Sequence, residues 1–270
     1  MPIISDYHIH TPLCKHADGE PFEYLRCAHE KGLRSIGFSD HSPVPSNFDT
    51  ISRMDISEFP GYQKMIEKIK NNEYGINVLF GIESDFVTDR EREISDFINS
   101  SNFDYIIGSV HYVGDIPFDN PDYINRWNRP EMISRVWDAY SESLLEMVST
   151  YDMDIIGHID LPKKFNLFPD SMEVFYSNIR EIFKVAAKRD IVMEISTGGL
   201  RKPVAEMYPG IDILKLAHDL KVKITFSSDA HTPNEVGYSF AEAGEYAASI
   251  GYREYVIFND NREKSLQPIC

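Results

Sequence analysis

Short runs of β-branched and other apolar residues alternate along this chain with longer stretches whose apolar residues recur every three or four positions. The short runs predict strands at 3–7, 35–38, 77–80, 105–109, 154–157, 191–194 and 223–226. The longer ones predict amphipathic helices at 22–32, 58–72, 90–101, 132–151, 172–189, 211–221 and 236–249. A last apolar run at 255–258 is a candidate eighth strand. Regular β-α alternation permits either an open doubly wound sheet or a closed barrel.

The polar residues that end the strands choose between the two. His8 and His10 lie two apart on the first run, and side chains on a strand repeat with period two, so both imidazoles face the same way. His41, Glu83, His111, His158, Asp229 and His231 end five further runs in the same manner, and His16 follows in the loop CKHADGE. A doubly wound sheet gathers its site at one switch point, whereas a barrel collects residues from the carboxyl ends of many strands. A β/α barrel is therefore expected. Nitrogen donors with a few carboxylates and no thiolates suit zinc, iron or manganese in an open, hydrolytic site. His29 and His218 fall within helical runs and are expected to have no catalytic part.

The loops after the strands are unequal. The longest, 112–129, is rich in Pro, Gly, Asp, Asn and aromatics, and is expected to lie irregularly over the mouth as a lid. Tyr112 and Trp127 in it, and Asp160 in the loop after His158, could meet a substrate there. A length of 270 residues fits one barrel domain, 1–270, and no linker or repeat divides it. No apolar stretch reaches the roughly 18 residues of a membrane span, and the first apolar residues belong to a strand that carries histidines, so neither a membrane nor a secretory leader is expected. The cytoplasm is the expected compartment. Cys14, Cys27 and Cys270 share no C-x-x-C spacing, which speaks against a disulfide framework or a zinc ribbon; Cys14, close to His16, reads as a buried free thiol. A formal net charge of -16 disfavours a nucleic-acid partner. An acidic protein can still bind a small phosphate where metal ions reverse the local charge.

The donors exceed what one ion can use, so two or three are implied. Such a cluster would keep a positive charge suited to a phosphate dianion. Phosphate monoester hydrolysis needs accelerations up to about 10²¹, far beyond the 10² to 10⁴ or so of a lone general base, and metal clamping fits that demand. Other phosphatase signatures are missing: no C-x₅-R loop, no R-H-G, and the D-x-D of Asp152 and Asp154 precedes its strand. Ser228 beside Asp229 and His231 does not make a triad, because neighbours on a strand end do not adopt triad geometry.

The motifs HIH, SDH, GIES, GSVH, GHID and SDAH, with His16, occur in an order that resembles the polymerase and histidinol phosphatase (PHP) superfamily over nearly the whole chain. The segments IGSVHYVGDIPFD, ISTGGLRKPVAEMYP and SSDAHTPNEVG are similar to its histidinol-phosphatases. The resemblance implies a distorted (β/α)7 barrel of TIM-like, PHP type that binds three divalent ions. His8, His10 and Asp229 would hold one ion; Glu83 would bridge it to a second completed by His111 and His158; His16, His41 and His231 would hold the third. Asp229, His231 and Glu83 would be the catalytic groups and Asp40 and Glu194 would orient ligands. Arg201 and Lys202, in GGLRKP, are candidates to grip phosphate, since an Arg fork matches its geometry. The implied reaction is hydrolysis of L-histidinol phosphate in histidine biosynthesis, by attack of a metal-bridging hydroxide. A PHP phosphoesterase acting on nucleotides or other small monoesters is the alternative, and a catalytically dead barrel a third. Oligomeric state and the native metal are not legible.

Overall fold

The computed structural model describes residues 2–44 and 48–269; Cys270 lies outside the described residues. Seven parallel strands form one sheet, in the order β1 (Ser5–Asp6), β2 (Ser35–Phe38), β3 (Asn77–Asp85), β4 (Tyr105–Ser109), β7 (Ile155–Ile156), β8 (Val192–Ser196) and β9 (Ile224–Ser227). Beyond β1 and β9 the two edges meet through a parallel bridge, His10 N donating to Ala230 O at 2.8 Å and Ala230 N to His8 O at 3.0 Å. The expected (β/α)7 barrel is thus closed only near its mouth.

Helices α1 (Pro21–Glu30), α2 (Phe59–Lys70), α3 (Glu91–Ile98), α4 (Pro130–Thr150), α5 (Glu173–Arg189), α6 (Ile211–Asp219) and α7 (Phe240–Ile250) surround the sheet. Their apolar stripes and the outward strand residues form one large core. Inward residues Tyr7, Leu79, Tyr105, Ile107, Ile155 and Val192 form a second, inside the barrel. Burial on both faces explains why the strands read as continuous apolar runs. The Tyr105 ring lies across β2 and β3 and its hydroxyl donates to Tyr7 O at 2.7 Å. A Cβ at Gly37 or Gly81 would collide with the Tyr105 side chain, so both positions require glycine. Among the described residues no helix is long and apolar enough to cross a membrane.

The candidate eighth strand is not part of the barrel. β10 (Glu254–Phe258) pairs antiparallel with β11 (Lys264–Pro268) in a separate hairpin. Val256 and Phe258 plug the barrel interior, and Tyr7 Oη both donates to Phe258 O and accepts from Phe258 N. Asp104 and Asp154, which precede β4 and β7, receive Asn261 N and the Arg262 guanidinium. The hairpin therefore seals the amino-terminal end, opposite the histidines. The 112–129 loop is more regular than expected. It contains the hairpin β5 (Tyr112–Val113) and β6 (Ile116–Pro117), turned at Gly114 with φ 59°, and a 3₁₀ turn at Pro121–Arg126, and it is pinned by buried Phe118 and Trp127.

Candidate metal centre

All seven barrel strands send a donor or its support to one mouth. His8 and His10 follow β1, His41 follows β2, Glu83 lies within β3, His111 follows β4, His158 follows β7, Glu194 lies within β8, and Asp229 and His231 follow β9. His16 comes from the loop after the Pro12–Cys14 turn, with Nδ1 on Cys14 O at 2.7 Å. The nine expected ligands are therefore brought together. Glu83 is central and fully buried. Its Oε2 lies 3.3, 3.6 and 2.8 Å from His8 Nε2, His10 Nε2 and His41 Nδ1. Its Oε1 lies 3.5 and 3.1 Å from His111 Nε2 and His158 Nε2. Asp229 Oδ1 is 3.3 Å from His10 Nε2 and 3.8 Å from His8 Nε2. His16 Nε2 and His231 Nε2 face each other at 3.0 Å.

These spacings fit coordination better than they fit hydrogen bonding. Two ligand atoms on one tetrahedral ion, each roughly 2.0–2.1 Å away, lie about 3.3 Å apart. His8 Nε2, both ring nitrogens of His10, His41 Nδ1 and Glu83 Oε2 are buried without a hydrogen bond of acceptable geometry. Unpaired buried polar atoms are costly, and apart from His10 Nδ1, which faces Asp40, these atoms converge on common points that an ion would satisfy. His41 stands closer to Glu83 than the expected grouping with His16 and His231 suggests, yet His10, His41 and His231 also present donor atoms within 4.8 Å of one another.

The electrostatics of the bare donors divide them. Burial alone would raise Glu83, but the imidazoles of His8, His41 and His111 hold it well below the usual carboxylate range. Asp229 is likewise held well below its ordinary value, against its burial, by His231, His10 and His8. Burial would lower His8, but Glu194 and Glu83 raise it well above the usual imidazole value. His111, despite burial, is raised to about 9 by Asp85 and Glu83. His41 is lowered to about 4 by burial and by charge on His10 and His111, against the pull of Glu83. His16 and His231 are also lowered, by burial and by His10. The shifts thus favour a proton on His8, His10 and His111 and neutral rings at His16, His41 and His231, although His41 also touches Glu83.

A shell of carboxylates orients the donors. Glu194 Oε2 lies 3.0 Å from His8 Nδ1 and its Oε1 accepts from His158 N at 2.7 Å. Asp40 Oδ1 accepts from His41 N at 3.0 Å and stands 3.6 Å from His10 Nδ1, while its other oxygen holds Thr11. Both were expected from the sequence. Asp85 was not. Its Oδ1 takes His111 Nδ1 at 2.6 Å and its Oδ2 pairs with buried Arg53. The signal was present, since Asp85 follows Glu83 by two on the same strand. Asp6 is a further support, accepting from Ser228 N at 3.0 Å and Gly237 N at 2.8 Å to fix the loop that carries Asp229. Asp229 itself has φ 52°, a left-handed conformation that Asp tolerates better than most residues.

A cavity of about 430 Å³ opens over the donors, walled by Tyr112, Asp119, Lys164, Lys202 and Tyr208 among others. Lys202 lines it, as expected of a phosphate-binding candidate. Arg201 does not: its Nη2 donates to Ser228 O and Asp229 O at 2.8 and 2.9 Å and its Nε pairs with Glu235. It braces the Asp229 loop from behind. Tyr112 lines the cavity, whereas Trp127 is buried against Phe118, and Asp160 is turned to Gly210 N and Lys163. Asp119 and Lys164 were missed, because both come from loops whose path spacing alone does not reveal. Burial pushes the Cys14 thiol up, in keeping with a free thiol, and His29 and His218 sit on α1 and α6, beside Tyr74 and Tyr252.

Residues 6–198 match the family model described as PHP domain. A protein of Deinococcus radiodurans named as a probable histidinol-phosphatase is 35% identical over 99% of this chain and 100% of its own length. The histidinol-phosphatase of Bacillus subtilis is 28% identical over 87% of this chain and 96% of its own. Among solved structures, histidinol phosphate phosphatase of Lactococcus lactis, crystallised with zinc, L-histidinol and phosphate, superposes with a TM-score of 0.77 at 22% identity, covering 97% of this chain and 98% of that one. At that identity the likeness speaks for the fold, and it is the barrel described above. With its matched span, its full-length relative and its ring of donors at the carboxyl ends of seven strands, the chain belongs to the PHP domain family.

Proposed function

We propose that this chain is a metal-dependent phosphatase that converts L-histidinol phosphate to L-histidinol and phosphate in histidine biosynthesis. The observation that carries the chemistry is the convergence of nine nitrogen and carboxylate donors, several buried without hydrogen bonds, at one mouth. The substrate is supported by the full-length likeness to proteins named for that activity. His8, His10 and Asp229 would hold one divalent ion, His111 and His158 a second, and His16, His41 and His231 a third. Glu83 turns one oxygen to each of the first two groups, as a bridging carboxylate would. Zinc, iron and manganese all suit this donor set. Bound ions would supply Lewis acidity toward the phosphoryl oxygens and a water activated at neutral pH.

The chain's own side chains do the rest. Lys202 and Lys164 line the cavity and supply positive charge toward the phosphate. Glu83 is sealed from water and acts by holding donors together, whereas the Asp229 and His231 side chains retain 14 and 18% exposure and can exchange protons with the cavity. Steady-state phosphate release by purified, metal-analysed protein tests the proposal, with L-histidinol phosphate set beside nucleotides, sugar phosphates and p-nitrophenyl phosphate. A kcat/KM for L-histidinol phosphate higher by orders of magnitude, abolished by chelation, is expected. Metal-dependent activity that favours another substrate would leave the site and remove the substrate assignment. Bound metal with no hydrolysis would remove the catalytic reading.

A further inference from the structure

We propose that Asp119, on the loop over the mouth, receives the ammonium group of the substrate and thereby selects amino-alcohol phosphates from other monoesters; this rests on the function proposed above. Three carboxylates, Glu83, Asp119 and Asp229, lie among the described residues that wall the cavity. Two of them are taken up with imidazoles. Asp119 is the one left, and its single ion pair among the described residues is with Lys164 rather than with a donor of the cluster.

The residue is held in place on both sides. Phe118 before it is fully buried, edge-on to Tyr140 at 5.3 Å and to Trp127 at 6.3 Å. Asn120 after it donates its N–H to Pro117 O at 3.1 Å and caps the next turn through Asp122 N at 2.9 Å. Lys164 Nζ donates to the Asp119 carbonyl at 2.6 Å and to Oδ2 at 3.2 Å, which leaves Oδ1 free of hydrogen bonds among the described residues. The side chain is one quarter exposed, and its charge acts on His111, His41 and His16 across the cavity. It is a fixed carboxylate, partly shielded from water, in the wall of the cavity that opens over the donors.

The charge pattern then matches a dipolar ligand. Cationic groups in the wall are Arg53, Lys164 and Lys202; Arg53 is consumed by Asp85, Asp49 and Ser42 O, and Lys164 gives two of its donors to Asp119. A plain phosphate monoester would use the metals, Lys202 and the remaining donor of Lys164. One with an ammonium two carbons from its ester oxygen would also use Asp119, with a charge-assisted hydrogen bond in a partly dehydrated site.

The test compares Asp119→Asn with wild type on four compounds: L-histidinol phosphate, its analogue lacking the amine, 3-(imidazol-4-yl)propyl phosphate, the analogue lacking the ring, 2-aminopropyl phosphate, and p-nitrophenyl phosphate. Metal content and unfolding midpoint are recorded for both proteins. The wild-type preference for L-histidinol phosphate over the amine-free analogue should fall by about 10- to 100-fold in the variant, the size of one charge-assisted hydrogen bond. The 2-aminopropyl ester should lose the same factor relative to p-nitrophenyl phosphate. An equal loss on all four compounds would assign Asp119 to holding the loop and overturn the proposal. A loss that follows the imidazole instead of the amine would overturn it as well. If wild-type protein hydrolyses p-nitrophenyl phosphate but not L-histidinol phosphate, the function proposed above fails, a result read before the variant is made.

Discussion

Replacing Glu194 by Gln separates the support of the site from the site itself. The carboxylate accepts twice, from His158 N at 2.7 Å and from His8 Nδ1 at 3.0 Å. Gln carries one acceptor and one donor in the same shape. If its oxygen stays on His158 N, its amide faces His8 Nδ1, which must become the acceptor. The proton then moves to His8 Nε2, the atom that points at Glu83 and Asp229, and that atom can no longer ligate an ion. If the amide is flipped, it opposes His158 N donor to donor. Either way one hydrogen bond to a charged group is lost, about 1.5–3 kcal/mol. That is a roughly 10- to 150-fold loss of affinity for one ion, in line with the roughly 10- to 100-fold seen when carboxylates behind metal-bound histidines are removed. Competition against a graded series of chelators would measure it, with metal content and kcat/KM followed together. We expect one ion of the set to weaken and excess metal to restore much of the rate. Unchanged occupancy and unchanged rate across the chelator series would refute the tautomer argument.

Asp85→Asn should act on both folding and metal, because it weakens the hold on His111 Nδ1 and leaves buried Arg53 with Asp49 as its remaining ion pair; a loss of about 1.5–3 kcal/mol by urea unfolding is expected. Metal affinity should rise with pH up to about 9, since an ion must displace the proton on His111; titration calorimetry in buffers of different ionisation enthalpy would show the proton release. The same group makes the metal-free protein pH-sensitive in the opposite sense. A His raised to about 9 contributes stability that is full below its unfolded value near 6.5 and is lost as pH rises through 9, up to about 3 kcal/mol, so the urea midpoint of chelated protein should fall over that range. Phe258→Ala empties part of the barrel interior and should cost about 3–5 kcal/mol in thermal or urea unfolding while metal affinity holds, because the hairpin sits at the far end from the donors.

Periodicity and strand-end chemistry carried much of the inference. The seven barrel strands and seven helices were legible because burial on both faces makes apolar runs and burial on one face makes three-to-four spacing. The donors were legible because a barrel collects strand ends, and His8 with His10, two apart in the segment just after β1, shows the rule. The run at 255–258 shows its limit. An apolar segment announces burial but not where, and here the interior that it fills belongs to a barrel already complete at seven strands.

Tertiary structure decided what lies between distant loops. Composition cannot tell that Arg201, with the better phosphate fork, turns back to brace two carbonyls while Lys164, from a different loop, reaches the mouth. Nor can it tell that Asp85 holds His111, or that Asp119 hangs over the cavity from a loop pinned by Phe118. Extended backbone repeats its direction every second position, so the sequence alone indicated that His8 and His10 face the same way. Loop side chains have no such period, and their partners are set by packing among segments far apart in the chain, which only the folded barrel brings together.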